Sequence, residues 1–137
     1  MLDYIKNELK NYDYYKESLK RINDSLSYAW HELAGVKAIR YDKQPGSYSK
    51  AAARKRQHEL MDKIEKLETE ASRIQKQIVY IEGILTRVQD EEIREAILKV
   101  YTQKKTLRKV AKGLYMSHVT LYKQINKQLE GAIRDDL

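Results

Sequence analysis

The residues best suited to chemistry lie between Thr106 and Leu129, TLRKVAKGLYMSHVTLYKQINKQL. Across residues 96–129 there are eight cationic side chains (Lys99, Lys104, Lys105, Arg108, Lys109, Lys112, Lys123 and Lys127) and not one Asp or Glu. An uninterrupted positive segment of this size is suited to a polyanion, because each Lys or Arg that neutralises a phosphate releases condensed counterions. Asn, Thr, His and Tyr are interleaved with these cations. Such side chains can hydrogen-bond base edges or sugar–phosphate oxygens. The chemistry implied is recognition, not bond making.

The apolar spacing says which elements hold these groups. Val110, Ala111 and Leu114 give a first short helix one buried stripe, with Thr106 as its N-cap. Ala111 is small enough for a second helix to cross closely, Met116 fills the turn, and Ser117 caps the second helix. Leu121, Ile125 and Leu129 recur every four residues and face the first helix. His118, Val119, Tyr122, Lys123 and Asn126 are thereby left on the outer face, with Thr120 nearer its edge. The reading is a DNA-binding helix-turn-helix, with Arg108, Lys109, Ser117, His118, Val119, Thr120, Tyr122, Lys123, Asn126 and Lys127 as its contact residues. Asn126 is the expected base reader, since an amide can pair bidentately with adenine. The competing reading is an amphipathic helix pair with a solvated basic face.

These residues resemble a known pattern. VAKGLYMSHVTLYKQI is similar to the helix-turn-helix of region 4 of bacterial sigma factors and of many phage regulators, which run Ile/Val-Ala, a Leu-Gly-Val/Met-Ser turn, then Thr-Val/Leu-Tyr. One departure stands out: Tyr115 occupies the turn position where that pattern has Gly. A Tyr at positive φ is strained, so the expectation is a slightly longer or more open turn. Upstream, Asp90 reads as an N-cap, Glu91 and Glu92 suit a first helical turn, and Ile93, Ile97, Val100 and Tyr101 form a stripe. This segment resembles the helix that supports the motif in sigma-like domains, with the basic link TQKK at 102–105 near the phosphates.

A different periodicity governs the first two-thirds of the chain. Leu60, Ile64, Leu67, Ala71, Ile74, Ile78, Ile81, Leu85 and Val88 alternate spacings of four and three, the a/d pattern of a coiled coil. Ile5, Tyr12, Leu19, Leu26 and Leu33 recur every seven residues, with Leu2, Leu9 and Trp30 on the adjoining row and Lys16 and Asn23 interrupting it. The expected fold is therefore all-α: an N-terminal antiparallel coiled-coil hairpin over 1–88, followed by a helix-turn-helix domain over 90–134. The hairpin helices should cover about 2–34 and 50–88. Between them, a basic loop at 35–49 contains Pro45 and Gly46, with Gly35 ending one helix and Ser47 or Ser49 starting the next. Lys50, Arg54, Lys55 and Arg56 follow this loop, and are either a solvated surface or a second contact with an anionic partner.

Charge is blocked rather than spread. Residues 36–58 carry +6 and 96–129 carry +8, against −4 over 59–95, −1 over 1–35 and −2 over 130–137, for a net +7. With no Cys there is neither a disulfide framework nor a thiolate metal site. His31, His58 and His118 are scattered, and no HExxH, glycine-rich phosphate loop or nucleophile elbow occurs. The expectation is a non-enzyme without cofactor or metal, without a membrane-spanning or signal segment, acting in the cytoplasm.

In its layout the chain also resembles phage late-transcription activators of the RinA type and related small regulators of Gram-positive phages and mobile elements. That resemblance implies a regulator that binds double-stranded DNA upstream of a promoter for packaging and morphogenesis genes, in a bacterial host. A homo-oligomer is expected through the hairpins, and RNA polymerase is a further candidate partner. The alternatives are a small-terminase-like DNA-packaging protein, which usually carries its DNA-binding unit first, and a helical interaction module that docks on an acidic partner.

Overall fold

A computed structural model describes residues 1–41 and 50–136, and every element among them is helical. The six α-helices are α1 (Leu2–Lys10), α2 (Tyr12–Tyr41), α3 (Lys50–Arg87), α4 (Glu91–Ile97), α5 (Leu107–Gly113) and α6 (His118–Asp136), with a π-helical turn at Leu98–Thr102 following α4. The chain forms two compact units, Met1–Lys16 with Lys76–Leu137, and Glu17–Gln75. This division does not coincide with a boundary at 88–90. Residues 1–16 and the end of α3 share one core with the C-terminal helices.

That core is built from short elements. Ile5 and Leu9 of α1, Ile81, Ile84 and Leu85 of α3, Ile93 and Ile97 of α4, Val110 and Ala111 of α5, and Leu121, Ile125 and Leu129 of α6 are all buried together. Helices of seven residues such as α4 and α5 are too short to persist alone in water. Each buried Leu or Ile contributes about 1.5–3 kcal/mol, and this tertiary packing holds them helical. The end of α3 is closed by a side chain: the Arg94 guanidinium donates to the Leu85 carbonyl at 3.0 Å and to that of Val88. Leu85 O also accepts from the Val88 N–H at 3.2 Å, so backbone and side chain together close the last turn of α3. Arg87 donates to the Ala132 carbonyl at 2.9 Å and ties α3 to α6.

The tyrosines near the N-terminus belong to this unit. The Tyr12 hydroxyl donates to Glu82 at 2.8 Å and that of Tyr15 to Glu8 at 3.2 Å, while the Tyr4 and Tyr80 rings tilt against each other at 6.4 Å. Burial and the adjacent Glu82 carboxylate push the Tyr12 phenol up to about 12.

In the other unit, α2 and α3 pack through Ala29, Leu33, Val36, Ala53, Leu60 and Ile64, with Leu26 against them. Arg56 forks onto Glu32 at 2.8 and 2.9 Å and reaches Glu59 at 3.3 Å.

The structure corrects three sequence expectations. The first helix is two helices, since Asn11 breaks it: the Asn11 N–H bonds back to Asn7 and Glu8 in a tightened last turn, and its carbonyl then accepts from Tyr15 to begin α2. Gly35 does not end the second; α2 continues through it to Tyr41, and the next residue, Val36, is buried with Ala53 and Leu60 of α3. Trp30 is half exposed, and Ala29 takes the buried position instead. Of the basic loop at 35–49, residues 42–49, with Pro45, Gly46, Ser47 and Ser49, lie outside the described residues.

A helical glycine costs about 0.5–1 kcal/mol relative to alanine, and a Cβ at Gly35 would meet nothing within 4 Å. Gly35→Ala should therefore stabilise the protein by about 0.5–1 kcal/mol, read as a higher urea midpoint at unchanged slope. A lower midpoint would mean that this backbone needs the freedom of glycine.

Candidate nucleic-acid interface

Local hydrogen bonds set the geometry of α5 and α6. The Thr106 side chain accepts from the Lys109 N–H at 3.3 Å and caps α5. Ser117 Oγ accepts from the Thr120 N–H at 3.1 Å and donates to Thr120 Oγ1 at 2.8 Å, capping α6. Asp90 likewise accepts from Glu92 and Ile93 at the start of α4.

The turn between α5 and α6 is a Schellman closure. The Met116 N–H bonds to the Ala111 carbonyl at 3.1 Å and that of Tyr115 to Lys112 at 3.2 Å, with Tyr115 at φ 58°. The turn is thus tight, not lengthened. Tyr115 enters the left-handed region that Gly would favour, and its ring is 98% exposed, so packing returns nothing for the strain. Lys104 has a similar φ of 56° where the π turn ends, and there the Lys105 N–H bonds back to Lys99 at 2.9 Å.

On α6, Leu121, Ile125 and Leu129 face the core, as their spacing dictates. His118, Val119, Thr120, Lys123 and Lys127 are exposed, as are Arg108 and Lys109 on α5. Tyr122 is exposed, with Lys6 Nζ of α1 4.5 Å from its ring centroid. Asn126 is placed differently from the sequence expectation: it is half-buried, and its Oδ1 is buried without a partner. The adenine-reading edge expected of Asn126 is therefore turned into the protein. Hydrogen bonds from Asn126 and Lys6 hold the Tyr122 phenol below its usual range, whereas burial pushes neighbouring Tyr101 up to about 12.

Two features escape a linear reading. Lys6, about a hundred residues away in sequence, joins the α6 surface. Glu92 and Glu95 of α4 line a groove of about 330 Å³ together with Lys99, Lys105 and Lys109, so the all-positive run 96–129 meets carboxylates in space. The motif's own window contains neither, although Glu95 and Lys99 stand four apart, a spacing that pairs on a helix.

In the other unit Lys50, Arg54 and Lys55 are exposed on α3, whereas Arg56 is engaged by Glu32 and Glu59. No metal-binding cluster of His, Cys, Asp and Glu occurs among the described residues, and no described helix is long and apolar enough to cross a membrane. No protein-family model, curated protein or solved structure matches this chain.

The left-handed conformation costs a side-chain-bearing residue roughly 1–2 kcal/mol, part of which a glycine returns through its freer unfolded state. Tyr115→Gly should raise stability by about 0.5–1 kcal/mol in urea unfolding. A loss of stability would show that the exposed ring makes a contact in solution.

Proposed function

We propose that this protein is a sequence-specific double-stranded DNA-binding transcriptional regulator. In this reading α5, its tight turn and α6 form a helix-turn-helix, with α6 in the major groove and α5 crossing the backbone. One observation carries it: the solvent face of α6 presents Val119, Thr120, Lys123 and Lys127, with Arg108 and Lys109 exposed on α5. Val119 offers an apolar contact for a thymine methyl, Thr120 a hydroxyl, and the lysines phosphate contacts or guanine O6/N7. Tyr122 and Asn126 act at the edge of this surface rather than at its centre.

The resemblance to late-transcription activators supplies the biological setting: activation of packaging and morphogenesis genes in the cytoplasm of a bacterial host. The α2–α3 segment serves as an antiparallel oligomerisation hairpin. Its seam is thin, with Leu19, Ile22 and Leu67 only half-buried, and Tyr28, Trp30 and Met61 are 80%, 50% and 49% exposed. A second copy would cover such surface, and two reading units would let the protein use two half-sites.

DNase footprinting on promoter-region DNA tests the regulator reading, which requires a discrete protected site. Lys109→Ala and Lys123→Ala should each weaken binding to all sequences and lower the slope of log K against log salt by about 0.9. The Val119→Ala/Thr120→Ala double variant should lose discrimination between sequences while non-specific affinity stays. Absence of any duplex binding at low salt overturns the reading, and uniform coverage without a protected site favours a packaging protein instead. Light scattering should give at least twice the 16.2 kDa chain mass at micromolar concentration, and a monomer with and without DNA would remove the oligomer.

A further inference from the structure

We infer that α1 forms a third wall of the DNA-contacting surface, and that Lys6 delivers its ammonium to a phosphate beside Tyr122. This rests on the DNA reading proposed above and extends it to a segment far from the motif in sequence.

Position is the first argument. Lys6 Nζ lies 4.5 Å from the Tyr122 ring centroid. Tyr122 is 47% exposed on α6, one residue from Lys123. An ammonium carries three N–H donors. The tyrosine offers it a ring face, which leaves donors for an oxygen arriving from solvent.

Rigidity is the second. Side chains on either side of Lys6 anchor α1: Ile5 is 2% and Leu9 0% exposed, and Thr102 Oγ1 donates to the Leu9 carbonyl at 3.4 Å. Detaching α1 would expose both apolar side chains, so it is a fixed wall and not a lid. Seated over the Tyr122 ring, the lysine has already given up rotamer freedom. A phosphate meeting it loses less entropy than one meeting a free surface lysine.

Charge is the third. The opposing group is Asp3, one turn before Lys6, whose field reaches Tyr122. Lys123 and Lys127 lie on the exposed face of α6 and reinforce the positive potential. A duplex phosphate is the occupant that suits a fixed ammonium beside a helix already facing DNA. An acidic protein segment is the competing occupant.

The test is fluorescence anisotropy of the intact protein with a labelled mixed-sequence duplex at stepped KCl, with circular-dichroism melts of each variant. Lys6→Gln should lower the log–log salt slope by about 0.9, Lys6→Arg should keep the wild-type slope, and Lys63→Gln, exposed on α3, should leave it unaltered. Asp3→Asn should tighten binding at low salt, an arm that holds even where Lys6→Gln melts early. If Lys6→Gln weakens binding equally at every salt concentration, the lysine only props Tyr122 and the inference fails. An unaltered Lys6→Gln slope with intact wild-type binding also overturns it, while leaving the DNA reading standing. A wild type that binds no duplex overturns both, so wild-type binding itself separates the two failures.

Discussion

The burial of one α6 stripe is the constraint on which the rest of the C-terminal unit depends. Leu121, Ile125 and Leu129 are wholly inaccessible to solvent, and Ala132 and Ile133 continue the stripe. Around it gather α1, α4 and α5, none longer than nine residues. Such helices gain little from backbone hydrogen bonds alone, since nucleation costs more than one or two turns return. They exist because each contributes two or three apolar side chains to a shared interior. The exposed groups of the surface, from Arg108 to Lys127, inherit their positions from that interior. Loosening it would scatter them before any contact with a ligand was lost.

Polar interactions then refine what the core selects. Thr106, Ser117 and Asp90 each satisfy N–H groups at a helix start, and Arg94 closes the carbonyl end of α3. The turn at Tyr115 shows the same hierarchy with opposite sign. A residue poorly suited to positive φ adopts it because Ala111 and Met116 must close the Schellman bonds for α6 to cross α5. Packing of two helices outweighs strain of about a kcal/mol at one residue.

Electrostatics in this chain is arranged by folding as much as by composition. Arg56 lies in the second turn of α3, beside the exposed cations Arg54 and Lys55. Glu32 and Glu59 surround it, and their carboxylates raise its pKa further above the ordinary guanidinium value. The pair is partly exposed and contributes little to stability, but it removes Arg56 from the free basic surface. Glu92 and Glu95 line one groove with Lys99, Lys105 and Lys109, which places carboxylates among those cations. The +8 of residues 96–129 is therefore not the charge that an approaching ligand meets there.

By itself the sequence determined the helical class, the three N-caps at Asp90, Thr106 and Ser117, and the buried rows Leu121–Ile125–Leu129 and Leu60–Ile64. These follow from period and local side-chain chemistry, which act within a few residues. Tertiary structure alone decided that Asn11 breaks the first helix, that α2 runs through Gly35, and that Trp30 faces outward while Ala29 packs. Each is a competition between a local preference and burial against a partner helix that no sequence window contains. The same holds at the surface. That Lys6 meets Tyr122, and that Asn126 turns its amide inward, depends on α1 docking beside α6, a contact between segments more than a hundred residues apart whose only trace in sequence is that Ile5 and Leu9 are apolar.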